Sequence, residues 1–493
     1  MERSKMIFNN PVSNQTYRKA VKSKKKYMKK FGDDSGVDYL LSTQENQVLA
    51  PFIGVRNICV TQATDAIKSD MSLFSKELED ARGVIIGNIR MGFGHYRISM
   101  AIASAAYALG YTPYWFDLHA YQDTTGGKVI GHLNGLYSMG SRWSQKYPLF
   151  NKFYWEPLNS EGFRKLSYNA MDQKVAELMV PVYQHLPKDM PFIATHVWPA
   201  QAAVHAGVKR VVNVIPDNWP MALHLAEGSI HTVQTPSAYL GYKTLKGMDG
   251  DKILNPMPEG SLYDTGHYID HELVSNLESD CEKRIDRITQ GKAKRILLTV
   301  GGAGAQKEIF RDIVKHLLPW VAEKKVVLYI NVGDHKGVWE GLCKDIPELE
   351  QLSECYFDAW DKTVHFADKA LNSDVSGIHA FYHQDIFAAV YASNLLMRSA
   401  DVLVTKPSEL AFYPVPKLMI KRVGGHEAWG AIRAAEIGDG TIECASTAQT
   451  LQMLNLMLEE PKMLEKMVHH ILKAYKGGVY NGAYEAVKLA FSK

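Results

Sequence analysis

Cysteine is scarce and scattered in this chain. Cys59, Cys281, Cys343, Cys355 and Cys444 are odd in number and form no C-x-x-C pair, which argues against a disulfide framework or a structural zinc site. No metal site is expected, and a reducing cytoplasm is the expected setting. Also missing are a stretch of about 18 consecutive apolar residues that could cross a bilayer and an N-terminal apolar core of the secretory kind. The chain therefore reads as neither exported by the usual route nor transmembrane. Charge of one sign is lacking too, since 56 Lys and Arg stand against 53 Asp and Glu. Net charge names no polyanionic partner, and no specific nucleic acid is expected.

What is present is a long α/β pattern. At 493 residues, with 46% hydrophobic and 22% charged side chains, the chain is expected to hold two or three domains with a sizeable buried core. The apolar run 295–300 leads into Gly301, Gly302, Ala303 and Gly304, and a helical pattern follows. A strand feeding a glycine turn and a helix offers backbone N–H groups and a positive dipole end, for which phosphate is a natural occupant. The same glycines also serve simple tight turns. A comparable event comes earlier, where the run 82–87 leads to Gly92, Phe93, Gly94 and His95, then to a helix with Ile98, Ile102, Ala105 and Leu109 on one face. Two such starts about two hundred residues apart predict two α/β domains facing one another. The expected division is residues 1–80 as an N-terminal extension, 81–290 as the first domain and 291–493 as the second.

Several local patterns carry chemistry. Residues 17–31 hold eight Lys or Arg among aromatic and aliphatic positions, a pattern that suits either an anionic membrane surface or a solvated helix face. Residues 132–160 are rich in Tyr, Trp and Phe and nearly free of acids, as in the lip of an apolar acceptor pocket, a membrane interface or a domain contact. Asp117, at the end of the second predicted strand, could hold the ribose of a dinucleotide, but Arg97 stands where G-x-G-x-x-G needs its third glycine. His196 and Asp217 fall at strand ends, where open α/β sheets bind ligands. In the second half Lys406, Ser408 and Glu409 follow one predicted strand, and His426 and Glu427 follow the next. With the turn Gly333, Asp334, His335, Lys336, Gly337 after the predicted strand 325–332, three polar clusters stand just past parallel strands, which favours a site over three unrelated helix caps.

These residues resemble landmarks of the GT-B glycosyltransferases related to monogalactosyldiacylglycerol synthase and the N-acetylglucosaminyltransferase of peptidoglycan synthesis. The likeness spans roughly residues 82–460. The loop Gly92, Phe93, Gly94, His95 is similar to the family's glycine-rich acceptor-side loop. The Thr405, Lys406, Pro407, Ser408 turn resembles a Thr-Lys-x-Gly turn, and Gly425, His426, Glu427 with Ala431 resembles a late Gly-Gln-Glu signature. The resemblance implies two Rossmann-like domains across a cleft, a C-terminal helix crossing back, and a UDP-sugar donor with its diphosphate near Gly301 to Gly304. It also implies a hydroxyl acceptor of the lipid class and a single inverting displacement that needs no metal or other cofactor, with His95 or Asp217 as base. The expected location is the cytoplasm, with peripheral contact at the inner face of the membrane through residues 17–31. The chain departs from the pattern where a ribose-binding glutamate is due, because position 414 is proline. Glu409 is the nearest substitute. A relative that binds nucleotide-sugar without turnover, and a dinucleotide-dependent oxidoreductase, are the competing expectations.

Overall fold

A computed structural model describes residues 2–63, 78, 80–301 and 306–492. Near its start an 18-residue helix, α1 (Asn14–Phe31), is capped by Ser13, whose hydroxyl accepts from Thr16 N. Its apolar residues Tyr27, Met28 and Phe31 pack on the first core, while Arg18, Lys19, Lys22, Lys25, Lys26, Lys29 and Lys30 face solvent. The basic segment is thus a docked helix.

The first sheet comprises β1 (Tyr39–Glu45), β2 (Arg56–Gln62), β3 (Gly83–Asn88), β4 (Thr112–Asp117), β5 (Phe192–Ala194), β6 (Val211–Val214), β7 (Ile230–Val233) and β8 (Leu262–Asp264). Their order across the sheet is β8-β7-β6-β5-β3-β4-β2-β1, parallel except for the edge pair β1 and β2. Residues 39–62, expected within the N-terminal extension, thus form the edge of this sheet. Both strands run out into exposed polar residues at one end, as an antiparallel edge does, and a search for fully buried parallel strands passes over them. By contrast all six residues of β3 are buried, as helices on both faces require. The helices of this half that bear on the site are α2 (Gly94–Ala108), α3 (Thr125–Lys146), α4 (Leu166–Ala176) and α5 (Val197–His205).

After α6 (Leu277–Thr289) comes the second sheet: β9 (Lys294–Thr299), β10 (Val326–Asn331), β11 (Ser353–Phe357), β12 (Ile378–Tyr382), β13 (Val402–Thr405) and β14 (Lys417–Met419). All pair in parallel, in the order β11-β12-β10-β9-β13-β14. Helices α7 (Lys307–Ala322), α8 (Lys336–Asp345), α9 (Ile386–Ser399), α10 (Ala428–Ile437) and α11 (Pro461–Lys476) cover it.

The two halves meet in a shared core. Ile98, Ala101 and Ile102 of α2 bury against Val390, Tyr391 and Leu395 of α9. The final helix, α12 (Gly482–Phe491), returns to the first half, where Ala483, Ala486 and Val487 join the same cluster and Phe491 stacks on Tyr111. Two Rossmann-like domains facing each other across a cleft constitute a GT-B arrangement. Among the described residues no helix is long and apolar enough to cross a membrane.

Candidate active site

The loops that leave the C-terminal ends of β3, β6, β9, β13 and β14 converge on one interdomain cleft, where parallel sheets place their ligands. His95, Asp217, Gly92 and Gly94 line it from the first domain; Gly301, Lys406, Ser408, Glu409, His426 and Glu427 line it from the second. Gly302, Ala303 and Gly304 lie outside the described residues. Gly92 has φ 74°, a conformation glycine adopts without strain, and it turns the chain into α2.

His95 sits in the first turn of α2. Its Nδ1 donates to the Thr195 carbonyl at 2.6 Å, because a carbonyl can only accept, so the neutral ring keeps Nε2 as its free acceptor. Burial pushes its pKa below the usual histidine value, more than the Thr195 carbonyl and Asp217 push it up. The His196 ring stands edge-on to it at 4.8 Å, with Nδ1 accepting from Trp198 N at the start of α5. Asp217, just past β6, accepts from His224 Nε2 at 3.0 Å. Burial opposes its ionisation, but the His224 hydrogen bond and the neighbouring His426, His224 and His95 outweigh it and hold the carboxyl well below the carboxylate range.

On the opposite wall, Lys406 pairs with Glu427. Burial works against the ammonium, yet Glu427 and Glu409 push its pKa up to about 12. The second oxygen of Glu427 accepts from Val423 N at 2.7 Å and Gly424 N at 3.3 Å. Burial raises the Glu427 pKa, while Lys406 and His426 bring it below the ordinary value. Gly425 N donates instead to Glu156 of the first domain at 3.2 Å. His426 Nδ1 is buried with no hydrogen-bond partner among the described residues, and Gln306, in a left-handed conformation, also faces the cleft.

Glu409 lines the cleft and also faces the domain junction. Its carboxylate lies 3.7 Å from Arg97 Nε, and a Cβ on Gly94 would come within 3.2 Å of it. Between Lys406 and β14 the chain makes only the short turn Glu409–Phe412 before Pro414. Asp117, the candidate ribose acid of the dinucleotide reading, is buried and accepts from Tyr96 OH and His119 N.

Tyr137, Ser141, Trp155 and Asn159 complete the cleft wall and were not singled out from the sequence. The spacing of Tyr137 and Ser141, one helical turn on α3, was the available signal. Beside the cleft, and sharing Met91, Tyr137 and Trp155 with it, opens an apolar cavity of about 490 Å³. Leu136, Trp143, Phe150, Tyr154 and Trp198 are among its walls, and His196 stands at the His95 side. The chain closes this cavity through two wide turns of i→i+5 type, Asn151–Trp155 and Leu158–Gly162. Around its mouth the surface is unusually apolar. Leu149 and Phe153 are 72% and 71% exposed, with Trp143, Tyr147 and Tyr154 about half exposed.

Residues 6–244 match the family model described as Domain of unknown function (DUF6937), and residues 257–491 match Domain of unknown function (DUF6938). No curated protein matches the chain in sequence. Among solved structures, the UDP-GlcNAc 2-epimerase of Neisseria meningitidis bound to UDP-GlcNAc is 12% identical, over 83% of this chain and 99% of that one, with a TM-score of 0.42. The α,α-trehalose 6-phosphate synthase of Burkholderia multivorans is 10% identical, over 83% and 98%, with a TM-score of 0.43. The Methanocaldococcus jannaschii UDP-GlcNAc 2-epimerase in complex with UDP-GlcNAc and UDP is 12% identical, over 79% and 99%, with a TM-score of 0.38. Likenesses of this size say nothing about this chain's substrate.

Proposed function

We propose that this chain is a glycosyltransferase that moves a sugar from a nucleotide-sugar of the UDP class to the hydroxyl of a lipid acceptor. The observation that carries the reading is one cleft with a part-buried cation and glycine turns on one wall, a histidine with a free Nε2 on the other, and an apolar cavity reaching the His196 ring that stands against that histidine. The donor diphosphate sits against Lys406 and the backbone near Gly301, where positive charge and N–H groups meet it. Glu427 is the counterion that yields Lys406 to the incoming phosphate. The acceptor tail lies in the apolar cavity, its hydroxyl beside His95.

In the reaction the acceptor oxygen attacks the anomeric carbon and gives its proton to His95 Nε2. The bond from that carbon to the phosphate oxygen breaks with its electron pair, and the nucleotide diphosphate leaves against Lys406. The configuration at the anomeric carbon inverts. Asp217, held ionised by His224, is positioned to stabilise the imidazolium that forms. The exposed aromatics around the cavity mouth and the cations of α1 and α3 suit peripheral contact with an anionic bilayer.

A second reading, a protein that binds nucleotide-sugar without turnover, is favoured by Glu409, whose carboxylate faces Arg97 at 3.7 Å. Supplying UDP-hexoses to the full chain with diacylglycerol-containing vesicles and measuring released UDP separates the two. Acceptor-dependent release supports transfer. Binding of UDP with no release under any acceptor supports the second reading.

A further inference from the structure

Sharing Gly92 and Phe93 with the cleft, a further cavity of about 640 Å³ opens between the domains. Arg90 and Arg142 enter it from the first domain and Lys336 from the second, while Asp334 is the one acid among its described lining residues. Arg90 pairs with Asp334 across the domain boundary, which leaves Arg142 and Lys336 in excess. Helix α8 starts here with no side-chain cap and no acid in its first turn, and Gly337 is open, since nothing stands within 4 Å of where a Cβ would be. His335, its side chain a quarter exposed and its ring tilted on Phe93, has no hydrogen-bond partner for Nε2 among the described residues and lies 3.5 Å from Asp334 Oδ1.

Helix α3 connects this cavity to the rest of the site. Asn134, Ser138 and Arg142, each a turn apart, line the cationic cavity. Tyr137 and Ser141 line the cleft, and Leu133, Leu136, Gly140 and Trp143 line the apolar cavity. At 3.6 residues per turn these three sets occupy successive sectors of one helix. The cationic sector is thus built separately from the donor wall, yet within reach of a molecule whose tail wraps the same helix.

We propose that this cavity is a second anion site that takes a phosphate group, held by Arg142, Lys336 and the open end of α8, with Asp334 released from Arg90 as the ligand enters. The convergence of cations and helix amides fits a multiply charged oxyanion better than a single carboxylate. The phosphate comes either from a lipid headgroup or from a soluble phosphate ester, and in both cases it bridges the two domains.

The test uses the full chain and two probes: inorganic phosphate by calorimetry, and phosphatidylcholine vesicles with and without phosphatidic acid by co-sedimentation. Saturable phosphate binding is expected, weakened tenfold or more by Arg142→Ala and by Lys336→Ala. It should persist in Lys406→Ala, which separates it from the donor cleft, and in Lys146→Ala, a cation of α3 that does not line the cavity. Loss of phosphatidic acid-dependent sedimentation in the same two variants identifies a headgroup as the source; unchanged sedimentation with lost phosphate binding identifies a soluble ester. The proposal is overturned if neither probe shows binding that depends on Arg142 and Lys336.

Discussion

A hydrogen bond of 2.6 Å from His95 to the Thr195 carbonyl leaves Nε2 as the nitrogen that the proposed reaction uses as base. Replacing His95 with Ala is expected to lower turnover by about 10²–10⁴-fold, the usual worth of a general base, while UDP still binds; steady-state rates together with a UDP titration check both halves. Because burial depresses the His95 pKa, the neutral, base-competent form persists at neutral pH. The pH profile of kcat/KM should therefore be flat above neutrality and fall on acidification at a pH below the ordinary histidine range. His95, Asp217 and Lys406 were legible in the sequence because each stands just past an apolar run. His224 was not, since its partnership with Asp217 spans an irregular loop with no period to read. Arg97 was legible only as a missing glycine; the structure shows it buried at the domain junction, donating to Asn394 and facing Glu409.

At the scale of the element, α3 presents three chemically different sectors to three cavities. Its composition announced an aromatic surface, but not which side chains turn inward, because that depends on the wide turns at 151–162 folding back over it. Gly140 marks the closest approach: a Cβ there would fall 2.0 Å from the Trp155 ring. Gly140→Ala is expected to displace Trp155, which lines both the cleft and the apolar cavity. The cost should be about 1–3 kcal/mol, as overpacking usually brings, read as a lowered denaturation midpoint. The same variant should raise KM for the lipid acceptor more than for the donor. A charge at the rim tests the surface itself: Phe153→Asp should reduce sedimentation with anionic vesicles and leave UDP affinity unchanged.

For the whole molecule, strands such as β3 and β9 were legible because buried parallel strands read as continuous apolar runs, whereas the edge strands β1 and β2 were not. The polar contacts that help join the halves were not legible either, since they rest on single residues. Asp270 accepts from Asn394 Nδ2 and Tyr413 OH, both at 2.9 Å, and Asn394 in turn accepts from Arg97. Burial raises the Asp270 pKa to about 7, against the pull of the Tyr413 hydrogen bond and Arg97. A carboxyl whose folded pKa exceeds its unfolded value contributes stability that is full below the unfolded value and lost as pH rises through the folded one. Melting temperature should thus fall between about pH 4 and 7 through this group, and Asp270→Asn should flatten that slope. The central claim, that the interdomain cleft holds a nucleotide-sugar against Lys406, is tested most directly by calorimetric titration of UDP into the wild type, Lys406→Ala and His95→Ala. Saturable binding to the wild type is expected, preserved in His95→Ala and weakened about 10–100-fold in Lys406→Ala, the worth of a charge-assisted contact. Absence of UDP binding to the wild type, or equal affinity in Lys406→Ala, would contradict it.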